Sequence, residues 1–163
     1  MTLFLNACHW LADSSVGTRI RESDNLFSVI ETVHVLGIVF TAGTIAIVDL
    51  RILGFLLNRY SLPQVLRPLV KITWLGFAVM ASTGFLLFWS EADKLYFNSA
   101  FRLKVLLLVL AGANQWVFHA THQRAIAKRC DAATIARQAK WAASLSLALW
   151  VGVIVLGRAI AYL

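Results

Sequence analysis

Four long runs of apolar residues determine what this chain can fold into. They cover about residues 26–57, 69–89, 103–119 and 141–163, and each is close to the ~20 residues that an α-helix needs to cross a bilayer. Charged residues make up only 14% of the sequence and hydrophobic residues 60%, with a mean hydropathy of +0.74. The sequence therefore predicts an all-α integral membrane protein with the lipid bilayer as its partner and no separate soluble domain.

Short connections between the apolar runs predict the architecture. Sequential helices joined by short links become antiparallel neighbours, so we expect a single domain, 1–163, folded as an up-down four-helix bundle. Before the first run, residues 3–12 are too short to span and predict a short interfacial helix. The third connection is longer and predicts an extension of the third helix. The predicted spans are residues 26–55, 69–90, 102–122 and 141–162.

The distribution of basic residues predicts an orientation. If the first two spans are joined on the inner side, that side holds most of the lysines and arginines, which places both termini outside. The net charge of +7 is explained by basic residues that lie beside the spans on the inner side, where they set the topology and face anionic lipid. Nucleic acid is therefore not an expected partner. Cys8 and Cys130 fall on opposite faces of the membrane and are not expected to form a disulfide.

Polar residues form a line along the first span. At about 100° per residue, Glu31, His34, Thr41 and Asp49 share one stripe, whereas Arg51 lies off it at the inner end. Ionisable groups inside a span cost about 2.5–3.5 kcal/mol even on lenient scales, so we expect them to face the bundle interior. The same polar seam is predicted to continue on the other spans through Thr83, Lys104, Gln115, His119, Ser144 and Arg158.

The residues of this seam are predicted to lie at two depths in the membrane, which gives two clusters. Glu31, His34, Lys104 and Arg158 form the outer one, in which Glu31 pairs with Arg158 or Lys104. A second interpretation of Glu31 is a helix-start residue, because Ser28 and Glu31 fit the S-x-x-E capping pattern. The inner cluster contains Asp49, His119 and His122, and Asp49 is expected to pair with Arg51, Arg67 or Lys71.

The histidines are the candidate ligands of this chain. An intramembrane histidine binds haem iron or a divalent metal, or it is an ordinary hydrogen-bonded residue, and the sequence leaves both interpretations open for His34 and His119. Small neighbours, Gly37, Ile38 and Thr41, are expected to leave room for a flat macrocycle beside His34. The two histidines differ in depth by ~13 Å, so a shared bis-histidine haem is not expected. The sequence contains no P-loop, G-x-G-x-x-G, H-E-x-x-H or G-x-S-x-G motif.

Several segments together resemble a known family of small bacterial inner-membrane proteins, described only as a domain of unknown function. The resemblance covers essentially the whole chain and implies a bacterial inner-membrane location, in which the outward termini predicted from the basic residues would be periplasmic. The segments that carry it are ETVHVLG, AGTIAIVDLRILG, GFAVMASTGFLLF, NSAFRLKVLLLVLAGANQWVFH and SLALWVGVIVLGRAIAY.

Two better-known groups are distantly similar. The order of Thr83, Gly84, Arg102, Lys104 and Asn114 resembles the membrane domain of copper-resistance protein D, and it adds Asn114 to the predicted polar seam. His34, Ala42, Gly43 and Arg51 resemble HemJ-type protoporphyrinogen oxidases. In that group the first-helix histidine is implicated in haem b binding, which the resemblance carries to His34.

Two hypotheses of function follow. The first is a haem b-binding or quinone-facing electron-transfer protein of the cytochrome b561-like kind, with His34 as axial ligand and Lys104 or Arg158 meeting a propionate. It needs a redox partner or a second protomer, and it leaves open whether the protein is an enzyme. The second is a cofactor-free bundle that acts as an accessory subunit, a small-solute or copper permease, or a structural oligomer.

Overall fold

The computed structural model describes residues 8–57, 59–60, 62–127 and 132–162, and it is all-α over these ranges. The helices are α1 (Ser15–Glu22), α2 (Asp24–Leu53), α3 (Leu62–Ser90), α4 (Ala92–Phe97), α5 (Ser99–Ala127) and α6 (Ala132–Ala159), followed by a 3-10 turn (Ile160–Tyr162). Within the described ranges, the side chains of residues 24, 62, 63, 118–127, 132–135 and 161 lie outside the description.

The prediction of four long apolar helices is confirmed. Among the described residues, four helices are long and apolar enough to cross a membrane. Their apolar segments are Asn25–Leu53, Gln64–Ser90, Ser99–Val117 and Ala136–Ala159. α5, the third of these four long helices, extends to Ala127, which agrees with the predicted extension.

Two helices begin earlier than the sequence indicated. α3 starts at Leu62, not at residue 69, and Pro68 lies inside it. Pro63 falls in the first turn, where the missing proline N–H costs no hydrogen bond, so this proline does not prevent helix formation. α2 starts at Asp24, after Ser23, whose side chain accepts from the Leu26 N–H at 3.4 Å. Ser28 and Glu31 are therefore internal residues of α2, and Glu31 does not cap it.

The end of α2 and the start of α5 have ordinary capping chemistry. Gly54 ends α2 in the left-handed conformation, with φ +88, which glycine adopts at little cost. Asn98 precedes α5, and its side-chain oxygen accepts from the Phe101 N–H at 3.0 Å. The short helix α4 occupies the connection between α3 and α5.

α2 packs antiparallel against α3, with almost no side chain between the two backbones. A Cβ atom on Gly37 would lie 2.8 Å from the Met80 amide nitrogen, and one on Gly76 would lie 2.9 Å from the Cβ of Phe40. Further along the same interface, the hydroxyls of Thr44 and Thr73 are 2.7 Å apart. Small residues thus permit the close helix contact typical of membrane helices.

α2 pairs with α3, and α5 pairs with α6. α6 also packs against α2, and this contact joins the two helix pairs. In the described part of the chain, the backbones of α3 and α5 do not form an extended close contact with each other. The main buried cluster lies between α2, α3 and α6 and comprises Ala42, Met80, Trp150 and Val153. Many large apolar side chains remain exposed on the outer faces, among them Phe40, Trp74, Val109 and Val151.

The N-terminal region is hydrogen-bonded to the end of α3. Residues 8–12 are helical, which covers part of the predicted interfacial helix, whereas residues 3–7 lie outside the described residues. The Trp89 indole donates to Ser14 Oγ at 2.8 Å. Arg21 donates to the carbonyls of Ala12 and Ser90, both at 3.2 Å. A second short helix, α1, was not predicted and packs against α3 and α2.

Candidate functional site

His34 is held by two hydrogen-bond partners on α3. Its Nδ1 lies 3.0 Å from the Met80 carbonyl oxygen and 3.0 Å from Thr83 Oγ1. The carbonyl can only accept, and the Thr83 hydroxyl already donates to the Val79 carbonyl at 2.6 Å. Both partners therefore require a proton on Nδ1. In the neutral imidazole this leaves the lone pair on Nε2, which has no protein hydrogen-bond partner in the described part of the chain.

Gly84 makes room for the His34 ring. A Cβ atom on Gly84 would lie 2.9 Å from Cε1 of His34 and 3.9 Å from Nε2. The imidazole therefore occupies the space that a side chain at position 84 would need. Two hydrogen bonds and this contact fix the orientation of the ring.

Lys104 of α5 supplies a positive charge close to His34. The two residues are near enough for a direct electrostatic interaction. Lys104 is partly buried, and its Nζ would lie 3.3 Å from a Cβ atom on Gly157 of α6. The part of the chain that the structure describes gives this ammonium no hydrogen-bond acceptor and no carboxylate. We call the group formed by His34, Thr83, Gly84, Lys104 and Gly157 the His34 site.

Two predicted members of the outer cluster do not join the His34 site. Glu31 is exposed, and Arg158 is exposed and donates to the Tyr162 hydroxyl at 3.2 Å. The predicted pairing of Glu31 with Arg158 or Lys104 is therefore wrong for this structure. Arg158 lies at the end of α6 and is bonded to the turn that follows this helix, and Lys104 lies near His34.

The room expected beside His34 is also filled. We predicted space next to Gly37, Ile38 and Thr41, but the backbone of Met80 lies against Gly37. Thr41 is 1% exposed, and its hydroxyl donates to the Gly37 carbonyl at 2.8 Å. Thr41 thus lies in the interior as predicted, but as part of the contact between α2 and α3.

The other end of the polar seam contains a buried acid. Asp49 is 7% exposed and forms a side-chain hydrogen bond with Ser146. None of the predicted ion pairs with Arg51, Arg67 or Lys71 is present in the described residues, where the salt bridge found joins Lys94 to Glu91. Arg51 instead donates to the Tyr60 carbonyl at 2.7 and 3.1 Å, because it faces the connection after α2.

On α5 and α6 the inward face differs in part from the predicted one. Asn114 donates to the Ala142 carbonyl at 3.0 Å, whereas its neighbour Gln115 is exposed. Ser144 is exposed, and the buried serine of α6 is Ser146. Helical spacing favoured Ser144, because it shares a stripe with Arg158, whereas the structure turns the face that bears Ser146 towards α2.

Metal binding receives no direct support from the described residues. Among them, no group of three or more His, Cys, Asp or Glu side chains is placed to hold a metal ion. His119 and His122 were predicted as inner-cluster residues, and His119 as a metal or haem ligand. Their side chains lie outside the described residues.

A groove on the surface opens between α5 and α6. It has a volume of about 600 Å³ and is lined mainly by Trp141, Leu145, Val117 and Asn114. A smaller one, of about 170 Å³, lies beside Arg21, Phe27, Ser28 and Glu91. Neither contacts His34, so they are separate from the His34 site.

Searches against protein-family models, curated proteins and solved structures found no match to this chain. The His34 site is therefore the feature of this chain from which a function can be proposed.

Proposed function

We propose that this protein is an integral protein of the bacterial inner membrane that binds haem b and transfers electrons. In this proposal the four long helices form an up-down bundle across the bilayer, with both termini on the periplasmic side. His34 would hold the iron through Nε2. One observation carries the proposal: Met80 and Thr83 hold the Nδ1–H of His34, so that the Nε2 lone pair is free for iron.

The donor chemistry of the His34 site fits a haem group. Histidines that bind metals usually donate their other ring N–H to a carbonyl or carboxylate, which fixes the tautomer and makes the free nitrogen more basic. Met80 supplies such a carbonyl at 3.0 Å. When bound, haem b supplies an iron that accepts and releases one electron at a time.

Lys104 provides the second element of fit. Haem carries propionate carboxylates, and Lys104 is a partly buried cation with no carboxylate partner in the described residues. An ammonium and a carboxylate attract more strongly in the low-dielectric interior than in water. Lys104 alone takes this role, because Arg158 is directed at Tyr162.

In the described part of the chain, His34 is the one histidine that would hold the iron, and it would hold a single haem. Electron transfer therefore requires a second redox centre, carried by a partner protein or by a second copy of this chain. Within this chain, Met80 and Thr83 hold the proton of His34 on Nδ1. Lys104 would balance the negative charge of a haem propionate.

A visible absorption spectrum tests the proposal directly. The full chain would be purified in detergent and titrated with haem b, and the Soret band and haem stoichiometry would be measured. We expect one haem per chain in the wild type, none in His34→Ala, and a weaker affinity in Lys104→Gln. His9→Ala is the matched control, because His9 is an exposed histidine near the chain start, and it should bind haem normally. A folded wild-type protein that binds no haem would refute the proposal.

Close packing between α2 and α3 favours a second candidate, a bundle without a cofactor. The spaces at Gly37, Gly76 and Gly84 are occupied by atoms of the facing helix. In this case His34 is a hydrogen-bonded interior residue, and the protein acts as an accessory subunit, a small-solute or copper permease, or a structural oligomer. The same titration separates the candidates, since only this one predicts a colourless folded protein that does not respond to haem.

A further inference from the structure

Asp49 has a buried carboxyl oxygen that no described residue bonds. The residue lies on α2 and is 7% exposed. Its carboxyl group accepts one hydrogen bond from Ser146 of α6. The second oxygen, Oδ2, is fully buried and has no hydrogen-bond partner among the described residues. A buried carboxyl oxygen that lacks a partner is rare and calls for a physical reason.

The described positive charges near this end of α2 do not form ion pairs with Asp49. Arg51, on the same helix, is engaged with the Tyr60 carbonyl. None of the described basic residues forms an ion pair with Asp49. On the helices packed against α2, the charged residues toward this end are all exposed: Arg67 and Lys71 on α3, and Arg137 and Lys140 on α6.

An ionised carboxylate in this position would be poorly stabilised. Burial removes its hydration, and one hydroxyl replaces only part of the lost hydrogen bonding. A bound metal ion does not resolve the difficulty, since Ca²⁺ and Mg²⁺ require about six oxygen ligands and this position offers the carboxyl group and Ser146. A proton neutralises the charge and needs no additional protein ligand.

We infer that Asp49 is a proton-binding site, carrying its proton on Oδ2 while Ser146 bonds the other oxygen. Asp49 lies four residues before Leu53, the last residue of α2, which corresponds to ~6 Å along the helix. The proton therefore exchanges with water at the end of the bundle where α2 is joined to α3. This site is separate from the His34 site, which lies 15 residues earlier on the same helix, or ~22 Å away along its axis.

Modification by dicyclohexylcarbodiimide tests this inference. This membrane-permeant reagent forms stable adducts with protonated carboxyl groups in apolar surroundings. The full-length wild-type protein would be treated in detergent at a series of pH values, and the modified residue identified by mass spectrometry of its peptides. We expect one adduct, on Asp49, with a yield that falls as the pH rises.

Two variants serve as controls. Asp49→Asn should lose the adduct, and Glu31→Gln should keep it, since Glu31 is an exposed carboxyl on the same helix. A carboxylic acid C=O infrared band that disappears as the pH rises, present in the wild type and absent in Asp49→Asn, would support the inference independently of reagent access. A wild-type protein without this band, in which Asp49 remains unmodified at every pH, would overturn it. Haem binding should be unchanged in Asp49→Asn, so the two proposals can fail separately.

Discussion

The ring of His34 occupies the space that a side chain on Gly84 would need, with Cε1 2.9 Å from the position of a Cβ atom there. The ring cannot move aside freely, because Nδ1 is bonded to the Met80 carbonyl and to Thr83. Glycine at position 84 is therefore a requirement of the histidine on the facing helix. The contact couples the packing of α2 on α3 to the orientation of the candidate ligand.

Gly84→Ala should destabilise the protein and displace the His34 ring. We expect the free energy of unfolding to fall by about 1–3 kcal/mol, the usual cost of forcing an extra methyl group into a packed contact. Circular dichroism during denaturation in detergent measures this change. If the protein binds haem, the Soret band should also weaken.

Gly43→Ala is the matched control for Gly84→Ala. A Cβ atom on Gly43 has nothing within 4 Å, and alanine favours a helix over glycine by about 1 kcal/mol. This variant should be as stable as the wild type or slightly more so. Equal effects of the two substitutions would contradict a specific contact between Gly84 and His34.

The overall helical organisation could be predicted from sequence because it depends on the length and composition of each apolar run. The contacts between helices could not, since they depend on register. Glu31 lies within 60° of His34 on a helical projection, yet Glu31 is exposed whereas His34 is bonded to α3. Ser144 and Ser146 have the same chemistry, and only the packed structure identifies Ser146 as the partner of Asp49.

Thr83→Val should weaken the hold on His34 without changing the size of the side chain much. The substitution removes one acceptor for Nδ1–H and leaves the Met80 carbonyl at 3.0 Å. We expect the free energy of unfolding to fall by about 0.5–1.5 kcal/mol, the usual contribution of one hydrogen bond. Under the haem proposal, the affinity for haem should fall as well.

Ser82→Ala is the control for Thr83→Val, because it removes a neighbouring hydroxyl of α3 that does not contact His34. Ser82 is exposed and donates only within its own helix, to the Ala78 carbonyl at 2.8 Å. Its loss should change stability by less than about 0.5 kcal/mol. A similar loss from both variants would mean that the contact with His34 contributes little.

Trp89→Phe should loosen the N-terminal region while leaving the long helices intact. The indole N–H donates to Ser14 Oγ at 2.8 Å, and phenylalanine keeps the ring but not the donor. Hydrogen exchange measured by mass spectrometry should become faster in α1, with no change in α5 or α6. Trp74→Phe is the control, because Trp74 is 67% exposed and should leave exchange in α1 unaltered. Unchanged exchange in Trp89→Phe would show that the other contacts of α1, such as Arg21 with Ser90, are sufficient.

The hydroxyls of Thr44 and Thr73, 2.7 Å apart, should contribute only a small coupling energy between α2 and α3. Each hydroxyl is also placed to donate to a carbonyl of its own helix, Thr44 to Phe40 at 2.6 Å and Thr73 to Leu69 at 2.8 Å. Only one hydroxyl proton can join the two helices at a time, and doing so gives up the bond within its own helix. We therefore expect a double-mutant cycle with Thr44→Val and Thr73→Val to give about 0.6 kcal/mol, the average for hydrogen bonds between membrane helices. A coupling energy above about 2 kcal/mol would show that these hydroxyls bond mainly to each other, and not to their own helices.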